Sequence, residues 1–344
     1  MGKDVSATIK DVARVAQVSV ATVSRALNGH HNVTAEVRRR VEEAAGQLRY
    51  VPHAAARSLS SKRTQTLGVV LPDLHGEFFS ELVRGIDQAA RERGMHLLVS
   101  SYHGHPEEQG DALRTLRGRV DGLLVMSPFA GVPDPGADRP AYAALPMVLI
   151  NSPAAPGGDV LNVDNYGGAQ SMMRHLVASG HRRIAFIAGP EGNFDAHERL
   201  RGYRDALAEL LPDAQPWVLP GAFDEASGHR AGQALLAASP RPDAVFAAND
   251  MMALGCLFAF SQGGVDVPKD VALAGFDDIP LAHYMHPALT TMQVDIASLG
   301  ESAARLLIAR LANEAEPVVP RMLEPRLIVR ASSLRPGSGR GSPH

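Results

Sequence analysis

Arg25 closes a short polar run, Thr22-Val23-Ser24-Arg25, whose residue types suit a nucleic-acid groove. A guanidinium can fork onto the edge of guanine, and hydroxyls such as those of Thr22 and Ser24 bond phosphate. Val20 and Ala21, just before them, are small and apolar, which lets a backbone enter the groove and touch thymine methyls. A second set lies later in the chain, where Asp73, Ser127, Asn151, Asn249 and Asp277 each follow an apolar run. Carboxylates, amides and hydroxyls in such places pair with the polar groups of a small ligand, or cap a turn or a helix.

Each set needs elements to hold it. Thr8 followed by Asp11 makes a capping-box-like start, with Asp in place of the usual Glu or Gln, and Ile9, Val12, Ala13 and Ala16 follow at helical spacing. Gln17-Val18-Ser19 makes a turn, and Ser19 caps a second helix with Val23 and Leu27 inward. Thr34 caps a third helix running to about Tyr50, and Val37, Val41, Ala44, Ala45 and Leu48 close a three-helix core. This is a helix-turn-helix reading, in which the second helix enters a major groove. The candidate DNA contacts are Thr8, Ser19, Val20, Ala21, Thr22, Ser24, Arg25, Asn28, Thr34 and Tyr50, with Arg25 as the base reader. Helix pairs joined by short turns recur in many folds, and Arg25 on a solvated face is the alternative.

Charge divides in the same sense. Residues 1–63 carry +6, whereas the whole chain carries −3 and the remainder therefore −9. A basic head on an acidic body favours binding a polyanion through one end.

From Thr64 onward, short apolar runs alternate with helical patterns. The runs are Leu67–Pro72, Leu97–Ser100, Gly122–Met126 and Met147–Ile150, separated by helix-compatible stretches such as Phe79–Arg93 and Glu107–Leu116. After Val163-Asp164-Asn165 the alternation begins again, through Arg183–Gly189, Ala244–Asn249 and Val271–Phe276. The fold class is thus an all-α head joined to two doubly wound α/β halves, with a ligand cleft between the halves at the strand exits.

Composition excludes other classes. The 344 residues are 45% hydrophobic and 21% charged, ordinary for a globular chain. Lys3, Asp4 and Lys10 interrupt the start, so no secretory signal is expected, and no apolar stretch approaches a membrane span. The single cysteine, Cys256, fits a reducing cytoplasm and a core position. No glycine loop that would cradle a nucleotide appears, and no nucleophile elbow, so neither a cofactor nor an enzymatic activity is expected. His30-His31 and His103-Gly104-His105 lack partners at metal-ligand spacing, and no metal is expected.

The chain resembles the lactose-repressor family of bacterial transcription regulators. The resemblance rests on Thr8 to Asn28, Val33-Thr34, and the run from Leu48-Arg49-Tyr50-Val51-Pro52 through Leu59. It extends over the body through Asp73–Phe79, Glu198–Tyr203, Ala248–Gly255 and Ala274–Pro280. It implies a hinge that becomes helical on the operator, with Leu59 wedged into the minor groove and Ala56 one turn before it. It also implies a body like the periplasmic sugar-binding proteins, in which Arg199, Asn249 and Asp277 bind an effector and Phe79 and Phe223 stack against it. Two departures stand out: Asn151 replaces the family's usual acid at the end of the fourth strand, and Gly76-Glu77 replaces its usual Asn-Pro.

The expected domains are a head over 1–51, a hinge over 52–63, a body over 64–334 and a disordered tail over 335–344. Within the body, one subdomain spans about 64–163 and 293–323, the other about 164–292 and 324–334. The tail has no heptads, so a homodimer rather than a tetramer is expected. The expected function is a cytoplasmic repressor of carbohydrate-utilisation genes, reading a pseudo-palindromic operator in double-stranded DNA and released by a sugar-like effector. A purine-type corepressor, or a solute-binding protein with no regulatory role, is the alternative.

Overall fold

The computed structural model describes residues 7–27, 32–50, 63–129, 145–153, 159–314 and 321–334. Asn28, His30-His31, the hinge with Ala56 and Leu59, and the tail lie outside the described residues. The chain divides into two compact units, Met1–Thr64 and Gln65–His344.

In the first unit, α1 (Ile9–Ala16), α2 (Val20–Leu27) and α3 (Ala35–Gln47) enclose Val12, Val23, Ala26 and Val41, all nearly inaccessible. The Asp11 carboxylate accepts both the backbone N–H and the hydroxyl of Thr8, at 3.0 and 2.7 Å, which ties the start of α1 to its first turn. Arg40 on α3 donates to the Ala16 carbonyl, satisfying an acceptor at the end of α1. Two details refine the sequence reading. Leu27 packs on the core from a half-buried position, and Ala26, not singled out in the sequence, is the fully buried neighbour of Val23 on that face. The third helix stops at Gln47 rather than near Tyr50, because Arg49 takes a left-handed conformation (φ 50°) and Tyr50 donates back to the Ala45 carbonyl.

The second unit holds two lobes. The first has a six-stranded parallel sheet in the order β2-β1-β3-β4-β5-β11, built from β1 (Thr66–Leu71), β2 (His96–Ser101), β3 (Gly122–Met126), β4 (Met147–Ile150), β5 (Asp159–Val163) and β11 (Arg321–Leu323). Its β1 and β3 are buried over nearly their whole length, which is why they read as continuous apolar runs. Helices α4 (Glu77–Glu92) and α5 (Gln109–Leu116) cross between its strands. The second lobe starts with α6 (Asn165–Ala178) and has a parallel sheet in the order β7-β6-β8-β9. Its strands are β6 (Ile184–Ile187), β7 (Trp217–Leu219), β8 (Ala244–Ala247) and β9 (Ala272–Ala274), linked by α7 (Phe194–Leu210), α8 (Glu225–Ala237) and α9 (Asp250–Gln262). A short α10 (Pro280–Tyr284) follows β9.

The chain passes between lobes three times. It leaves the first lobe after β5, returns through β10 (Thr291–Gln293) to α11 (Ile296–Leu311), and goes back after β11 into β12 (Arg326–Ile328), which pairs antiparallel with β10. The return helix α11 packs on α4 with almost no gap: a Cβ on Gly85 would stand 1.9 Å from the Ala297 carbonyl oxygen, and one on Gly300 2.3 Å from that of Leu82. No described helix is long and apolar enough to cross a membrane.

Candidate functional site

The carboxyl ends of both sheets face a cavity of about 770 Å³. From the first lobe come Asp73 on the loop after β1, Phe78 and Phe79 in the first turn of α4, and Asn151 after β4; from the second come Arg199, Phe223, Asn249 and Asp277. Seven of the eight effector residues expected from sequence therefore share one cavity. Ser127 does not reach it. That side chain is 4% exposed and donates to Gln109 at 3.3 Å, turned into the first lobe, so its place at the end of β3 is a packing position.

Arg199 organises the floor. It projects from α7, is 4% exposed, and lies over the Phe276 ring at 3.8 Å. Its Nε donates to Asn165 Oδ1 at 2.7 Å, Nη1 to the Ala248 carbonyl at 2.6 Å, and Nη2 stands 3.0 Å from Asp277 Oδ1. Two hydrogen bonds and one ion pair thus fix the plane of the guanidinium, and further N–H groups remain for a ligand. Burial pushes the Asp277 carboxyl up to about 6, although Arg199 draws it back.

Asp195, one turn before Arg199, was not singled out from the sequence because it follows no apolar run. It is 5% exposed, lines the cavity, and accepts from Asn165 Nδ2 at 2.8 Å. Burial raises its carboxyl to about 7, against the opposing pull of Arg199 and of the Asn151 and Asn165 amides. Asp250 stands behind, wholly buried, accepting from the Thr291 hydroxyl at 2.6 Å and the Ile279 N–H at 3.0 Å. Burial and the neighbouring Asp277 raise its carboxyl well above the usual range. It holds the turn that presents Asp277.

Other strand-exit residues divide their capacity between ligand and fold. Asn249 caps α9, accepting from Met252 N–H at 2.9 Å, and donates to the Phe223 carbonyl at 3.0 Å. Asp73 accepts from the N–H groups of Leu74 and His75, at 2.6 and 3.1 Å. Asn151 is 1% exposed and its Oδ1 has no hydrogen-bond partner among the described residues. Asn151 (φ 45°), Phe223 (φ 63°) and Asp277 (φ 109°) all hold positive φ, a costly conformation that the surrounding bonds maintain where the cavity needs it.

Side chains of the first lobe reach across the mouth, beside a backbone bond from Phe194 N–H to the Pro128 carbonyl. His75 Nε2 lies 3.1 Å from Glu225 Oε2, and this bond raises the imidazole's affinity for a proton. Glu77, which stands where the family pattern has Pro, accepts from Leu281 N–H at 2.8 Å. The unusual pair Gly76-Glu77 therefore supplies a tie between lobes.

In the head, Val20, Ala21 and Arg25 are exposed, while Thr22 and Ser24 are half-buried. Ser19 Oγ accepts from Thr22 N–H at 3.1 Å and meets the Thr22 hydroxyl at 2.9 Å, so the cap of α2 occupies both hydroxyls. Thr34 caps α3 through Val37 N–H at 3.4 Å, and half-buried Tyr50 packs on the three-helix core.

Comparison with known proteins gives these geometries a context. The profile of "Bacterial regulatory proteins, lacI family" matches residues 8–53, and that of a "Periplasmic binding protein-like domain" matches residues 173–333. The ribose operon repressor of Haemophilus influenzae is 35% identical over 329 residues, covering 95% of this chain and 98% of that protein. The HTH-type transcriptional repressor PurR of Escherichia coli is 36% identical over 331 residues, covering 95% and 96%. The crystal structure of the Lac repressor dimer bound to operator and the anti-inducer ONPF superposes with a TM-score of 0.83 at 29% identity, covering 95% of this chain and 99% of that one. With a head, a two-lobed body and relatives aligned along nearly its whole length, this chain belongs to the lacI family of bacterial regulatory proteins.

Proposed function

We propose that the chain is a homodimeric DNA-binding repressor whose hold on its operator is set by a small sugar-like effector in the body cavity. The observation that carries this reading is where the cavity floor is anchored. Asp277 N–H donates to the Met292 carbonyl and Val294 N–H to that of Asp277, at 2.9 and 3.1 Å, so the residue is sewn into the strand that returns to the first lobe. Asn165, which orients Arg199, begins the helix after the first crossing and donates to Val163 O at 3.3 Å. A ligand on Arg199 and Asp277 therefore acts on two of the three crossings between lobes. Its differential affinity for two lobe arrangements is what can be transmitted to DNA.

The names of the relatives support a repressor, and the ribose operon repressor supports a sugar. Polar groups on the floor and phenylalanine rings on the walls suit a ring with hydroxyl edges and apolar C–H faces. The test is fluorescence anisotropy on a genomically selected operator fragment, titrated with sugars and purines. A sugar is expected to weaken operator binding. Arg199→Ala is expected to keep operator affinity and lose that response; a variant that still responds removes Arg199 from the site. A purine that tightens binding makes the protein a corepressor-dependent repressor instead.

A further inference from the structure

The charge of the cavity goes beyond what a neutral sugar requires. Six carboxylates line it, those of Asp73, Glu191, Asp195, Asp224, Glu225 and Asp277, against one guanidinium and one imidazole. Both basic groups are engaged: Arg199 lies against Asp277 and His75 against Glu225. Of the four carboxylates that remain, Asp195 is the buried one. Its described hydrogen-bond partners are the neutral amides of Asn165 and Asn151, and among the described residues no Lys, Arg or His lies within ion-pair distance of it. A buried carboxylate hydrogen-bonded to amides alone, whose one nearby arginine is shared with Asp277, is costly to keep ionised, and closure of the lobes over a neutral ligand raises that cost.

Two independent features say what would relieve it. Asn151, 1% exposed and part of the same lining, leaves Oδ1 without a partner among the described residues, so an acceptor on the floor is left to spare. The walls carry four phenylalanine rings, Phe78, Phe79, Phe129 and Phe223, whose negative faces attract cations and repel anions. Carboxylates with aromatic faces recognise an ammonium group. The acceptors on the floor require that it carry N–H donors, and so favour a primary amine over a quaternary one.

Building on the reading of this cavity as the effector site, we propose that the effector is a cationic amino sugar, a hydroxylated ring whose protonated amine seats against Asp195. Neutral sugars leave Asp195 with no cation nearby but the Arg199 it shares with Asp277. Sugar acids and sugar phosphates bring further negative charge against the acidic lining.

The experiment is calorimetry on the full chain at pH 7, with D-glucosamine, D-galactosamine and D-mannosamine, their neutral parent sugars, and the matched sugar acids and 6-phosphates. Operator affinity is followed in parallel. At least one amine is expected to bind about tenfold or more tightly than its parent, the strength of a charge-assisted bond, with no acid or phosphate binding. Asp195→Asn is expected to remove that preference, so that the amine binds no more tightly than its parent sugar. If that variant does not fold, Glu191→Gln on the rim is expected to reduce the same preference. A neutral sugar that equals or exceeds its amine, or any acid or phosphate that binds, overturns the charge assignment and leaves the effector reading standing. If nothing in the panel binds or alters operator affinity, the effector reading itself falls and this inference with it.

Discussion

Asp195 and Asp277 share one arginine, and their protonation gives the body an unusual response to pH. Both carboxyls are raised by burial, to about 7 and about 6, from an ordinary value of 3.8. Between the ordinary carboxylate range and about pH 7 the folded body holds more protons at these positions than the unfolded chain, so stability falls as pH rises through that window. The groups facing Asp195 are Arg199 and Asp277, with Asp250 behind Asp277. Asp195→Asn is expected to flatten the fall in melting temperature between pH 5 and 7.5; an unchanged slope would assign the effect elsewhere. Arg25 is exposed on α2. Arg25→Ala is expected to weaken specific operator binding by roughly 1–3 kcal/mol and to leave ligand affinity alone, which competition against random DNA measures. Polar residues at strand exits were legible in the sequence because each interrupts an apolar run. Asp195 was not, since it sits inside an amphipathic helix, and the inward turn of Ser127 depends on Gln109, eighteen residues away in the chain.

At the scale of elements, close helix crossings decide what substitutions the body tolerates. Gly85 on α4 meets the backbone of α11, and Gly255 on α9 meets the Glu225 carbonyl of α8, where a Cβ would stand 1.9 Å away. Backbone cannot yield as a side-chain tip does. Gly85→Ala is therefore expected to cost about 1–3 kcal/mol or more, read as a lowered melting temperature with the head's own transition unmoved. Gly255→Ala would press on the start of α8, which carries Glu225 to the cavity mouth. The long buried strands and amphipathic helices announced themselves by period, as β1, β3 and α4 illustrate. Strands β7, β10, β11 and β12 span three residues each, too few to establish a period, and exist because a partner strand is already in place.

For the whole molecule, the separation of a +6 head from a −9 remainder makes operator binding an ionic-strength effect. The logarithm of operator affinity is expected to fall with the logarithm of salt at about −0.9 per phosphate neutralised. A slope shallower than about −2 across a salt titration would mean that the head does not track the DNA backbone. The triple passage between lobes has a consequence for how the protein is made. The face of α4 around Gly85 is complete only when α11 arrives, roughly two hundred residues later, and β11 joins the same sheet later still. During synthesis from the N-terminus the first lobe cannot finish before most of the second has been translated, and its apolar helix face and open sheet edge wait exposed on the ribosome. The second lobe waits as well, for β12 beside β10 and for the buried Ser332 that bonds the Leu273 carbonyl of β9, so the two halves of the body, begun far apart in time, become whole together at the end of synthesis.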